Sequence, residues 1–158
     1  MRVMKLAAIS VFALVSAFAA QAQSNPLVGT WKLNLDKSKY DPGPAPKSLV
    51  RKVEVAGDGV KYTFEGVAAD GKPLSYSFSV KFDGKDNPVM GTAPNGADTI
   101  SATRTDAHHY TATLKKGGKE VGTSKVTVSD DGKTTTVDAT GTNLAGVKGH
   151  DVQVYDKQ

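Results

Sequence analysis

The clearest pattern in the chain runs from Leu74 to Phe82, where Leu74, Tyr76, Phe78, Val80 and Phe82 alternate with Ser75, Ser77, Ser79 and Lys81. A period of two sends the sets to opposite faces of a strand, one dry and one wet. The same rhythm recurs. Leu27 to Leu35 predicts a first strand with Trp31, Leu33 and Leu35 on one face, and Leu49 to Val55 a second with Leu49, Arg51, Val53 and Val55 in phase. Val60 to Phe64 returns with Tyr62 and Phe64, and Pro88 to Met90 is a short strand. Asp98 to Arg104, His108 to Lys115 (Tyr110, Ala112 and Leu114 in phase), Lys119 to Ser129, Thr134 to Thr140 and Val147 to Tyr155 complete the series. Between Val121 and Val126 the apolar phase changes, which predicts a β-bulge or sharp bend. No segment has a helical period.

The intervals carry turn chemistry. Gly57-Asp58-Gly59, Asp70-Gly71, Asp83-Gly84, Gly117-Gly118 and Asp130-Asp131-Gly132 supply the positions that tight hairpins need. Asp36 to Lys47 holds Pro42, Pro44 and Pro46, which exclude a helix or a central strand and predict an extended loop. About ten short strands joined by tight turns define an all-β fold. Sequential hairpins make an up-and-down antiparallel β-barrel of 8 to 10 strands the simplest architecture, since closure removes exposed sheet edges.

Composition changes the picture mainly at the N-terminus. Arg2 and Lys5, an apolar run from Leu6 to Ala19 and the small-x-small Ala20-Gln21-Ala22 read as a secretory signal peptide over residues 1–22, cleaved near Ala22. The run is too short for a bilayer span of ~20 residues. The expected mature protein is residues 23–158, one domain, exported to the periplasm or secreted, with no stable membrane anchor. Two of the 20 basic residues lie in the leader, so the mature chain is only weakly basic, about +2 against 16 acidic residues. Lysines alternate singly with Asp, Thr and Ser, which argues against a nucleic-acid track. There is no cysteine, so stability rests on the core alone.

Val28-Gly29-Thr30-Trp31-Lys32-Leu33 resembles the opening strand of fatty-acid-binding proteins and of the wider lipocalin-like (calycin) group. Val154-Tyr155-Asp156-Lys157 resembles the closing strand of the same lipid binders, and the whole is similar to small exported bacterial lipocalin-like proteins. The resemblance implies a monomeric barrel that binds a small, mainly apolar, lipid-like ligand in its interior, with Gly29 and Trp31 as a structural plug at one end. Two departures stand out. The proline-rich Asp36 to Lys47 stretch replaces the family's helical lid, and Gln153 occupies the first position of the Arg-x-Tyr pair that holds a ligand carboxylate in that family.

Tyr62, Phe64, Tyr76, Phe78 and Tyr110 share the apolar phases and are candidates to line a cavity. The same rings would also fill a narrow barrel, the commoner arrangement, leaving a module that acts through its surface. A contiguous void of roughly 300 Å³ or more separates the two readings. Arg51 and Arg104, the only mature arginines, fall on inward phases and are candidate anchors for a carboxylate or phosphate. The alternatives are snorkelling to solvent or pairing with an aspartate such as Asp98 or Asp138. His108 and His109 point to opposite faces and His150 is remote, so no metal site is expected. Asp83, Asp86 and Asn87, like Asp130-Asp131, lack full calcium-loop spacing and read as turns. No Gly-x-Ser-x-Gly elbow, phosphate loop or placed acid–base pair appears, so neither an enzyme nor a cofactor is expected, though a small cavity enzyme would leave no motif.

Overall fold

The computed structural model describes residues 25–158 except 94, 144 and 145; the leader lies outside the described residues. Eleven strands follow one another: β1 (Gly29–Leu33), β2 (Lys39–Asp41), β3 (Ser48–Ala56), β4 (Gly59–Val67), β5 (Pro73–Val80), β6 (Asn87–Gly91), β7 (Thr99–Arg104), β8 (His109–Lys116), β9 (Lys119–Val128), β10 (Thr134–Thr142) and β11 (Lys148–Lys157). Every pairing between named strands is antiparallel, from β3 to β11 in simple succession. β1 then pairs with both β3 and β11 and closes a ten-stranded up-and-down barrel.

The opening segment departs from expectation in two ways. β1 stops at Leu33 because Asn34 accepts from Lys37 N through Oδ1 at 3.1 Å, capping a 3-10 turn over Leu35–Lys37, and donates through Nδ2 to Asp156 at 2.6 Å. A local side-chain acceptor has here competed with the ladder, and Leu35, expected inside, is 42% exposed. The chain then recovers as β2 within the stretch expected to be all loop. β1 and β2 share β11: β1 pairs with its end, Tyr155 to Lys157, and β2 with His150 to Val152. β2 does not reach β3, whose pairing with β1 ends at Val50, so a lateral gap separates these strands.

The predicted phase change in β9 is a bulge. Leu114 faces Gly122 and Lys115 faces Glu120, which leaves Val121 as the extra residue. Phe82, placed by alternation at the end of β5, instead lies beyond it at a positive φ of 60° and packs its ring against the Tyr110 ring at 5.1 Å.

The core gathers at one end. Leu27, Trp31, Val53, Val60, Val80 and Val128 are essentially inaccessible and form a floor. The indole Nε1–H donates to Leu27 O at 3.0 Å, so the entering turn is bonded to the residue it covers. Gly29 adopts a φ of +143°, a backbone conformation that residues with a Cβ rarely take, and the Lys157 ammonium lies 5.1 Å from the Trp31 ring centre. Glycine thus gives the first strand the bend with which it enters the barrel beside the plug.

Candidate functional site

Above the floor the barrel is not filled. A cavity of about 740 Å³ extends to the opposite end, where its mouth is made by the Pro42–Pro46 loop, the β4–β5 turn and the segments around Thr92 and Asn143. The interior is hollow because its walls are unequal. β4 and β5 present cross-strand pairs of large rings: Phe64 against Tyr76 with centroids 4.4 Å apart, and Tyr62 against Phe78 at 5.0 Å. β7 to β10 answer with a mixed wall in which Ala102, Ala112, Gly122, Ser124 and Ala139 stand between larger residues such as Ile100, Leu114 and Val137, so much of it is too small to reach across. Alternation in sequence fixes which residues face inward; their summed volume decides whether they meet.

Of the sequence candidates, Arg51, Phe64, Tyr76, Phe78 and Tyr110 line this cavity. Tyr62 is 1% exposed and lies outside the lining, packed against Phe78 in the layer beneath. Arg104 is also outside the lining. Its guanidinium stacks 4.5 Å from the Phe82 ring and donates through Nη2 to Asn25 Oδ1 at 3.0 Å. That oxygen also accepts from Leu27 N at 3.2 Å, so Arg104 pins the N-terminal turn beneath the floor, and the partner expected to be an aspartate is an asparagine. Gly29 and Trp31 occupy the closed end.

Among the described residues Arg51 is the one fully buried cation. It is 3% exposed, sits in β3 opposite Trp31 and reaches into the base of the cavity. Its guanidinium carbon lies 4.7 Å from the Tyr155 ring centre, 5.6 Å from Trp31 and 5.8 Å from Tyr62. Its Nε–H finds no acceptor, and no carboxylate pairs with it among the described residues. The tyrosines do not neutralise it. Burial pushes the Tyr155 phenol up to about 12 even against the lowering effect of Arg51, and raises Tyr62, Tyr76 and Tyr110 as well, so these phenols stay protonated at neutral pH. Three ring faces contribute about 0.5–2 kcal/mol each, whereas removing a cation from water costs several kcal/mol. The charge is only partly compensated.

One side of the cavity is polar; the sequence pointed to Gln153 and Tyr155 there through the family resemblance, but not to Asp151. On β11, Asp151, Gln153 and Tyr155 alternate inward from mouth to floor. Tyr155 OH donates to Gln153 Oε1 at 2.7 Å, and Asp41 N donates to Asp151 Oδ1 at 3.3 Å. Burial raises the Asp151 carboxyl above its ordinary range, with neighbouring Asp41 adding to the rise. The period-two phase that carries Tyr155 inward also carries Asp151, a signal masked by its being polar on a phase otherwise recognised by apolar residues.

The histidines do not converge. His109 Nδ1 meets Asp106 at 2.8 Å, His150 Nε2 meets Asp138 at 2.9 Å and His108 Nδ1 meets Val128 O at 3.2 Å, and no group of three metal-ligating side chains occurs among the described residues.

A closed ten-stranded antiparallel barrel, plugged by tryptophan at one end and hollow above it, is the lipocalin-like, fatty-acid-binding-protein-like fold. The zebrafish ileal bile acid-binding protein, solved in complex with cholic acid, is similar over 84% of this chain and 99% of its own, with a TM-score of 0.52 and 14% identity. A redesigned β-barrel, mFAP1, bound to DFHBI, overlaps 84% of this chain and 95% of its own at a TM-score of 0.43 and 14% identity. No protein-family model matches the sequence, and no curated protein matches it.

Proposed function

We propose that this protein binds a small amphipathic molecule inside its barrel, with the apolar body against the β4–β5 rings and an anionic group on Arg51. One observation carries the reading: a buried guanidinium without a counter-charge at the base of a cavity of about 740 Å³. A cation in that position destabilises the empty barrel, and a carboxylate or phosphate reaching it would gain charge-assisted hydrogen bonds in a dry site. Burial of the ligand's hydrocarbon supplies the rest, at about 25 cal/mol per Å². The volume favours a ligand over the alternative of a filled barrel acting through its surface, because it exceeds the roughly 300 Å³ of a small-molecule pocket. The similar bile acid-binding fold supports binding in the same sense.

Arg51 takes the anchoring role that Gln153 lacks. The cation comes from β3 rather than from the last strand, and Tyr155 remains beside it. The protein works as a monomer outside the cytoplasm, after removal of residues 1–22; N-terminal sequencing of exported protein reads the cleavage site directly.

Trp31 is the reporter for the binding test. Titration with fatty acids and retinoids, followed by indole fluorescence and thermal melting, is expected to shift the emission and raise the melting temperature. The uncharged methyl esters should bind at least about tenfold more weakly, a loss of 1.4 kcal/mol. Absence of any response to all of them overturns the proposal.

A further inference from the structure

We propose that the ligand carries a second, cationic group, an amine held by Asp151 at the mouth, so that the cavity selects ω-amino acids over simple acids. This rests on the reading of Arg51 as the anion anchor.

The cavity contains charges of opposite sign at two depths. Arg51 lies at the base, where its guanidinium covers the Tyr155 ring. Asp151 lies on the same inward face of β11 four positions nearer the mouth, beside Tyr40 in the register of β2. At about 3.3 Å per strand residue the backbone positions of Tyr155 and Asp151 are about 13 Å apart along β11, which sets the length scale between the two levels. Both groups are incompletely matched. Arg51 has no anionic partner, and Asp151 forms no ion pair among the described residues: it accepts the Asp41 amide at 3.3 Å, while neighbouring His150, whose charge also bears on it, is bonded to Asp138. The other acid at the mouth, Asp41, is also free of an ion pair among the described residues, whereas Asp70 is already satisfied by Lys72 at 2.9 Å. The mouth therefore has negative potential to spare on the β2–β11 side. Between the levels Gln153 is the only polar inward residue of β11, and the β4–β5 wall is hydrocarbon and ring edge.

An empty apolar cavity needs neither charge. A simple fatty acid would satisfy Arg51 and leave its methyl end beside Asp151, whose carboxylate would lose water without gaining a partner. A chain with an acid at one end and an ammonium about 13 Å away satisfies both and buries its methylenes against the aromatic wall. The same arrangement excludes dicarboxylates, because a second anion would meet Asp41 and Asp151.

The test uses the whole exported chain and calorimetric titration with three probes of equal length: undecanoate, ω-aminoundecanoate and the corresponding dicarboxylate. The amino acid is expected to bind at least about tenfold tighter than undecanoate, and the dicarboxylate more weakly than either. In Asp151→Asn the ratio between amino acid and undecanoate should fall to about twofold or less, and circular dichroism checks that this isosteric variant is folded. The comparison on the unaltered chain stands whether or not the variant folds. Undecanoate binding as tightly as the amino acid overturns the amine site while leaving the Arg51 anchor in place. A preference that survives Asp151→Asn also overturns it. If no probe binds, the anchor and the amine site fall together.

Discussion

The two ends of the barrel are built on opposite terms. At the closed end Leu27, Trp31, Val53, Val60, Val80 and Val128 are each at most 1% exposed, and the polar groups of the entering turn are bonded. At the mouth the lining comes from loops and part-exposed side chains, with Val147 45% exposed. Arg51 stands at the boundary. The contrast separates two tasks that share one sheet: the floor contributes stability, and the space above it holds chemistry that weakens the empty fold. Under the proposed function, binding recovers that cost.

That division is broken most severely by Trp31→Ala. The indole is fully buried, covers Leu27 and bonds its carbonyl, so its loss leaves a large void and an unsatisfied acceptor. Equilibrium denaturation should show a loss of about 3–5 kcal/mol, typical of large aromatic truncations. A change below about 1 kcal/mol would mean that the floor is not the stabilising end.

Arg51→Met tests the boundary from the other side. Replacing an uncompensated buried charge by an apolar side chain of similar length should stabilise the empty barrel by about 1–4 kcal/mol. The loss of three cation–π contacts offsets part of this. The same variant should lose anion binding by at least about tenfold. A less stable barrel with unchanged affinity would show that Arg51 is a structural cation held by its rings.

Asn25→Ala is a milder attack on the floor. Asn25 Oδ1 accepts from Leu27 N and from Arg104 Nη2, so its removal unties the entering turn and frees the guanidinium stacked on Phe82. The cost should be about 0.5–2 kcal/mol, the range of capping side chains. Ligand affinity should not follow it, because the cavity lining contains neither Asn25 nor Arg104.

Strand positions and inward phases were legible in the sequence because a period of two is a local property. Leu74 to Val80 and Leu49 to Val53 needed no tertiary information. Arg51 was legible as an inward arginine for the same reason, but its lack of a partner was not, since that depends on which strands lie opposite. Arg104 shows the limit: it shares the inward phase, yet the N-terminal turn, distant in sequence, supplies Asn25 as its partner. The early end of β1 turned on one side chain, Asn34, which accepts from Lys37 N and so starts a 3-10 turn at Leu35, a residue that alternation had placed in the strand. The cavity itself was not legible, because the small residues scattered along β7 to β10 reveal empty space only when set against the rings of β4 and β5.

The smallest expected effect is the most discriminating, because β11 carries two aspartates of opposite character. Asp156, near the closed end, accepts from Asn34 and Lys37 at 2.6 and 3.2 Å, and these bonds hold its carboxyl below the usual range. A depressed folded pKa contributes stability above the unfolded value of 3.8, lost as pH falls through the folded pKa. Asp151, at the mouth, has its carboxyl raised by burial. The sign then reverses: the fold is favoured while Asp151 is protonated, and that advantage is lost as pH rises through its folded pKa. Melting temperatures between about pH 3 and pH 7 should therefore respond oppositely. Asp156→Asn should lower the neutral-pH melting temperature and flatten the fall toward acid, whereas Asp151→Asn should raise it slightly and change nothing at the acid end. If Asp151→Asn instead destabilises the empty barrel at neutral pH, the carboxylate is already satisfied without a ligand, and the mouth would belong with the floor.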